Sequence, residues 1–349
     1  MEFDDALSKV IGATTDIFTQ PPHASRLSSG TGILLHRRAF WLSESMAFQP
    51  LEWDKSTLIT DSGMFGADEF GAIYLIDDEK VAVVESGTSF EKDRILTAIA
   101  EFGYRPPDID YLIVSHIHLD HAGGAGFLLQ EMENAKVYVH ERGYKHLADP
   151  SRLLASAKVA LGASADEFGT MRPIPADRLV AVKDGDRLEL GKRELVFYDS
   201  PGHAPHELTV FDTHNKCIYT GDAAGLYMSR DEVLLPISPA PSFSLEDNLR
   251  SLDRMLTLRP RALLFSHYGP HTNPQAVVEI QRIQYAAWSD FVRRRKGLDS
   301  EHSMTEGLYN DYGFRVRHYR PEFVKKRIRD SVEGLIVYHQ RLEDAARKI

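Results

Sequence analysis

Ser115-His116-Ile117-His118-Leu119-Asp120-His121 packs three imidazoles and a carboxylate into seven positions, directly after the apolar run Tyr111-Leu112-Ile113-Val114 and directly before Ala122-Gly123-Gly124. Residues two apart on an extended chain project to the same side, so His116 and His118 can share one cation. The small residues after His121 permit a tight turn into a helix, which aims Asp120 and His121 at a second cation nearby. Nitrogen and oxygen donors of this kind suit zinc, iron or manganese. Any one of these histidines alone reads as a strand-end surface residue. Together they read as a metal site.

Around this stretch the chain alternates strand and helix signals. Ala72 to Ile76 and Val81 to Val84 flank Asp77-Asp78-Glu79-Lys80, a hairpin pattern at which the sheet is expected to start. Ile95, Leu96, Ile99 and Phe102 recur at helical spacing before Gly103. Two more hairpins are expected, Leu188 to Leu190 with Leu195 to Tyr198, and Leu208 to Phe211 with Cys217 to Thr220. Ser244 opens a helix whose Leu245, Leu249, Leu252 and Leu256 face one way, and Asn273-Pro274 opens another. The tail is helical, with Phe323, Ile328, Val332 and Ile336 on an apolar face and Lys325, Lys326 and Arg327 between them. Residues 1–55 hold no sustained period and are read as an extension, 56–272 as the catalytic domain and 273–349 as C-terminal helices that lid the site. Met46 is read as the natural translation start.

Composition excludes several classes. The 349 residues carry 51 acidic against 41 basic side chains, a formal charge of −10 that offers nothing to a phosphate backbone. The single cysteine, Cys217 in an apolar run, rules out a disulfide framework and a thiolate cluster. No apolar run reaches the roughly 18 residues of a membrane span, and the acidic start is the wrong flank for a secretory signal. A cytoplasmic enzyme acting on a small molecule, without nucleic-acid or membrane partners and compatible with a homodimer, is the expectation.

His116-x-His118-x-Asp120-His121 at a strand-to-loop junction resembles the signature of the metallo-β-lactamase superfamily, and further matches follow in order. They are Ser200-Pro201-Gly202-His203, Thr220-Gly221-Asp222 and Ser266-His267, so the resemblance covers about residues 56 to 272. It implies a four-layer αβ/βα sandwich with a C-terminal helical extension. It assigns His116, His118 and His203 to one metal, Asp120, His121 and His267 to another, and Asp222 to both. Two divalent transition-metal ions, zinc first and iron or manganese next, are thereby implied. A hydroxide bridging them would attack a carbonyl carbon, with Asp120 binding metal and orienting that hydroxide. His206, three residues beyond His203, is a candidate substrate contact or proton donor. His140 reads first as structural and second as part of the site's mouth. Family members usually have Asp before Gly where this chain has Glu85-Ser86-Gly87, which leaves open how that acid supports the ligands.

Pro201-Gly202-His203-Ala204 is similar to the hydroxyacylglutathione hydrolase and lactonase branch, which implies a thioester or lactone substrate. Against the diiron-flavoprotein branch stands His118, where that branch has Glu. The alternative is a mononuclear iron dioxygenase acting on a persulfide-type substrate, distinguished by metal content and oxygen consumption. A non-catalytic metal-binding protein is a third reading, which no missing ligand supports. The basic run Arg293-Arg294-Arg295-Lys296 reads as a solvated helix end and not as a substrate contact.

Overall fold

The computed structural model describes residues 49–348, so most of the expected extension and Met46 lie outside the described residues. The first sheet runs β1 (Gln49–Leu51), β2 (Asp54–Asp61), β3 (Ala72–Ile76), β4 (Ala82–Val84), β5 (Tyr111–Ile113), β6 (Lys136–His140) and β7 (Leu179–Val182) in sequential spatial order. It is antiparallel up to β4 and parallel from there on. Parallel neighbours need crossovers. Helix α1 (Lys92–Phe102) links β4 to β5, and the short helices α2 (Leu119–Ala122) and α3 (Ala125–Leu128) link β5 to β6. Between β6 and β7 stand α4 (Glu141–Ala148) and α5 (Ser151–Leu161).

The second sheet contains β8 (Arg187–Glu189), β9 (Glu194–Asp199), β10 (Leu208–Asp212) and β11 (Cys217–Tyr219). A small hairpin follows, β12 (Leu226–Met228) with β13 (Val233–Leu235), before β14 (Ala262–Phe265) and β15 (Gly269–His271) complete the sheet in the order β15-β14-β11-β10-β9-β8. The three hairpins expected from the sequence are all antiparallel pairs.

Alternation along β3 explains the layering. All five of its residues are buried. Ile73 and Leu75 join Ile95, Ile99 and Leu112 in a core beneath the helices, whereas Ala72, Tyr74 and Ile76 join Phe197, Val210 and Leu264 between the sheets. A strand covered on both faces reads as a continuous apolar run, as this one does. The result is an αβ/βα sandwich.

The sheet begins at Gln49, earlier than the pattern at Ala72 suggests and inside the segment read as an extension up to residue 55. The reason is chemical. Strand β2 puts Asp54 and Thr57 inward onto a buried Arg193, so its sequence lacks an apolar period. Arg193 donates through Nη2 to both Asp54 oxygens at 2.9 and 2.8 Å, and through Nη1 to Asp212 at 2.7 Å and Thr57 at 2.8 Å. Asn215 Nδ2 adds a bond to Asp54 at 2.9 Å. One guanidinium thus ties the first sheet to the second.

Four further helices follow: α6 (Leu245–Thr257), α7 (Pro274–Arg295), α8 (Glu301–Asp311) and α9 (Pro321–Ala346). Ser244 and Asn273 cap α6 and α7 by accepting from Asp247 N at 3.4 Å and Ala276 N at 3.1 Å. On α9 the buried stripe is Val324, Arg327, Ile328, Ser331, Val332 and Leu335, so Arg327 faces inward, unlike a solvated base between apolar positions.

Candidate metal centre

Strand ends and the loops after them carry the donors. After β5 the chain bends at Ser115 and His116, reaches His118 with an extended backbone (φ −63°, ψ 154°) and then turns into α2, which bears Asp120 and His121. Gly123 and Gly124 make this turn possible: an added Cβ would meet Leu119 O at 2.2 Å or Ser86 O at 2.2 Å. His203 follows β9, Asp222 follows β11 and His267 follows β14. Loop residues set on a rigid sheet are a common way to hold a site.

Seven predicted donors come together. His118 Nδ1 lies 2.9 Å from His116 Nε2 and 2.9 Å from His203 Nε2. His267 Nε2 lies 3.2 Å from His121 Nε2, and Asp120 Oδ2 stands 3.9 and 3.7 Å from those two atoms. Asp222 sits between the groups, with Oδ2 3.4 Å from both His121 Nε2 and His203 Nε2, and Oδ1 3.6 Å from His267 Nε2. Three triads of converging atoms result: His116, His118 and His203; His116, His121 and Asp222; and Asp120, His121 and His267.

A backbone carbonyl fixes which nitrogen of His267 carries its proton, and acids stand behind two further rings. His267 Nδ1 donates to the Phe70 carbonyl at 2.7 Å, which leaves Nε2 as a lone pair facing inward. His116 Nδ1 lies 3.1 Å from Glu207 Oε2, and His121 Nδ1 lies 3.3 Å from Glu85 Oε1. Carboxylates behind ligating imidazoles orient the ring and raise its basicity. His118 Nδ1 can carry at most one proton, yet it faces two Nε2 atoms, so the first triad cannot be satisfied by hydrogen bonds among its own rings. A divalent cation would satisfy all three. The residues fit such an ion.

Charge supports the same conclusion. Burial pushes His116 well below the ordinary imidazole value and lowers His118, and it brings His203 down to about 3, with neighbouring rings adding to the effect on His116 and His203. Burial thus favours the neutral form of these three rings, the form in which an imidazole binds a metal. Burial would lower His121 too, but Asp222, Glu85 and Asp120 outweigh it and hold that ring well above the ordinary value. Burial alone would raise Asp222, yet His121, His203 and His267 keep it well below the usual carboxylate range. Three carboxylates around one imidazole make a place for positive charge.

Other expectations resolve individually. Glu85 adopts φ +72°, a strained backbone for a residue with a side chain, and its Oε1 accepts from Ser266 Oγ at 2.8 Å while reaching His121. The longer acid therefore does support a donor. His206 is half-buried, its ring 6.1 Å from His116 and 5.7 Å from His118. Burial and the neighbouring His118 and His203 bring it down to about 2, so it stands beside the donors as a neutral ring. His140 accepts from Arg142 N at 2.9 Å to cap α4 and lies 3.2 Å from Asp199, the structural role read first. Among the basic run, Arg293 and Arg294 pair with Asp290, and Lys296 with Glu343.

Sequence reasoning missed Glu207 and Phe70. Glu207 is fully buried, its Oε1 accepting from Asp222 N at 3.0 Å, so one acid contacts the backbone of one donor and the ring of another. The available signal was an acid set against the apolar run Leu208 to Phe211, directly after the His203 turn. A cavity of about 360 Å³ lies along the loop after β2 and the start of α1, lined by Phe65, Phe90, Glu91, Arg94 and Glu167 among others. Burial raises its Glu91, with the Asp120 charge adding to the rise, but none of the seven donors lines this cavity.

A two-sheet sandwich with His and Asp donors gathered at its strand ends defines a class of metal-dependent proteins. The profile of the Metallo-beta-lactamase superfamily matches residues 66–267, and the chain belongs to that superfamily. It is 29% identical over 206 residues to the metallo-beta-lactamase fold-containing protein ST1585 of Sulfurisphaera tokodaii, across 58% of this chain and 74% of that one. The crystal structure of ST1585 superposes with a TM-score of 0.62 at 22% identity, over 80% of this chain and 98% of that one. The diflavin flavoprotein A 1 of Synechocystis is 31% identical over 221 residues, 62% of this chain and 33% of that protein. The rubredoxin-oxygen oxidoreductase of Megalodesulfovibrio gigas is 26% identical over 160 residues, 46% and 34% of the two chains. This chain thus spans about a third of the latter two. The superfamily expected from the sequence is the right one; its hydroxyacylglutathione hydrolase branch is not singled out by these relatives. No helix among the described residues is long and apolar enough to cross a membrane.

Proposed function

We propose that this chain is a hydrolase of small ester-like substrates, thioesters or lactones, working with two divalent transition-metal ions, zinc first among them. The observation that carries the reading is Asp222, whose Oδ2 is 3.4 Å from donors of both triads, His203 and His121. A shared carboxylate between two sets of imidazoles suits a pair of ions. His116, His118 and His203 would hold one, Asp120, His121 and His267 the other. When bound, such ions lower the pKa of water toward neutrality and polarise a carbonyl oxygen.

The chain's own residues then do the rest. Asp120 offers a carboxylate at the rim of the second triad, where it can orient the attacking water. His206, neutral and adjacent to His116 and His118, is a hydrogen-bond partner for the substrate and not a charged acid.

A second reading is an iron-dependent oxidoreductase, in particular the mononuclear dioxygenase expected as the alternative. It is favoured by similarity to a protein named as an oxidoreductase. One experiment separates them. The native metals are quantified per chain, and hydrolysis of a glutathione thioester, an acyl lactone, a phosphodiester and a cephalosporin is measured beside oxygen consumption. About two zinc ions with thioester or lactone turnover supports the hydrolase; one iron with oxygen uptake overturns it.

A further inference from the structure

The donor His267 is held from behind by a single residue, Phe70, in two ways. Its ring stacks on the Phe70 ring at 4.6 Å and 29°, and its Nδ1 donates to the Phe70 carbonyl at 2.7 Å. Phe70 in turn is gripped by α9. Phe323 meets its ring edge-on at 4.8 Å and 88°. The Arg327 guanidinium lies over three rings at once, 5.0 Å from Phe65, 5.2 Å from Phe323 and 5.7 Å from Phe70. Just before α9 begins, Tyr319 stacks on Phe323 at 5.6 Å and donates to the Glu69 carbonyl at 2.6 Å, fixing the residue before Phe70.

Arg327 is an unusual choice for this position. It is only 7% exposed, its Nε has no hydrogen-bond partner among the described residues, and its ion pair with Asp330 spans 3.8 Å. A buried guanidinium without a bonded carboxylate is costly. Aromatic faces offset part of that cost when the cation is desolvated. An apolar residue would fill the same space without the penalty, so packing alone does not account for an arginine here.

We propose that Arg327 and Phe323 of the C-terminal helix are positioning residues for the second metal site, acting through Phe70 on His267. The inference rests on the two-ion reading above. In this arrangement α9 is part of the support of the metal centre and more than a lid. Outer groups that orient a ligating imidazole typically govern metal affinity by about ten- to a hundredfold. The effect should fall on the site that His267 serves and spare the triad of His116, His118 and His203, which Phe70 does not touch.

The test is cobalt(II) titration of the metal-stripped full chain, followed by its visible absorption, with thermal melting of each metal-free variant in parallel. The wild type should take two equivalents. Arg327→Met keeps the apolar stem and removes the charge; it should bind the first cobalt as the wild type does and the second about tenfold more weakly or worse. Arg327→Lys, which returns a cation to the rings, should recover most of that loss. Phe323→Leu should repeat the selective loss, and it carries the test if Arg327→Met does not fold. Second-site affinities within twofold of the wild type overturn the inference, as do equal losses at both sites, which would signal general loosening. A wild type that takes a single cobalt overturns the two-ion reading and this inference with it.

Discussion

Glu207 Oε2 stands 3.1 Å from His116 Nδ1 while the same carboxylate's Oε1 accepts from the Asp222 backbone N–H at 3.0 Å. One buried acid thereby sets the ring of a first-triad donor and the chain position of the carboxylate shared between triads. Burial, with the nearby Asp222 charge adding, raises Glu207 well above the ordinary carboxyl value, while His121 opposes the rise. A bound cation nearby would draw it back toward the charged form.

Glu207→Gln keeps the shape and most of the hydrogen bonding but loses the carboxylate behind His116. Metal affinity and turnover should both drop about ten- to a hundredfold, with the thermal midpoint of the metal-free protein little changed. Competition against a chromophoric chelator reads the first quantity. Wild-type affinity in the variant would remove Glu207 from any role at the centre.

The clustering of these side chains was legible because ligand chemistry leaves few substitutes: His116, His118, Asp120 and His121 fall within six positions at a strand end, and no structural role needs that combination. Hairpins around Asp77 to Lys80 and Asp212 to Asn215 were legible for a related reason, apolar strands flanking short polar turns. Contacts between distant segments were not. Thr57 and Asp54 look like surface residues until Arg193 arrives from 136 and 139 positions away. Arg327 looks like one more base in a basic stretch until Phe65, Phe70 and Phe323 enclose it. Periodicity reports only which face is apolar, and a buried charge paid for by a remote partner breaks it.

The Arg193 clamp gives a pH-dependent stability. Burial alone would raise Asp54, but bonds from Thr57, Asn215 and Ser56 and the charge of Arg193 outweigh it and hold the carboxyl below its ordinary value of 3.8. A depressed acid contributes stability that is complete above its unfolded-state value and fades as pH falls toward the folded-state value. Asp54→Asn should therefore cost about 2 kcal/mol at neutral pH, a gap that stays level down to about pH 5 and narrows below about pH 4. Urea unfolding across that range measures it. A gap that widens on acidification would contradict the assignment.

Gly202 connects the fold to the first triad most directly, because it is the residue before His203 and leaves no room for a side chain. Its φ is +143°, and an added Cβ would meet Asn248 N at 2.5 Å and Asn248 Cα at 2.4 Å, backbone atoms of α6 that cannot swing aside. The turn is fastened to that helix on both sides: Ser251 Oγ donates to the Pro201 carbonyl at 2.7 Å, and Ser244 N donates to the Gly202 carbonyl at 2.9 Å. Gly202→Ala must therefore push the turn away from α6, and His203 Nε2 moves with it, off its 2.9 Å approach to His118 Nδ1. We expect a loss of about 1–3 kcal/mol in stability from the backbone conflict. Affinity for the first metal should fall by at least about tenfold, and the second site should be affected less. Ser251→Ala removes one fastening without the clash and should show a smaller loss of the same kind. Unfolding midpoints of the metal-free proteins, together with stepwise metal titration, separate the two effects. If Gly202→Ala lost stability yet bound the first metal as tightly as the wild type, the turn would hold the fold without setting His203, and α6 would have no link to the metal centre through it.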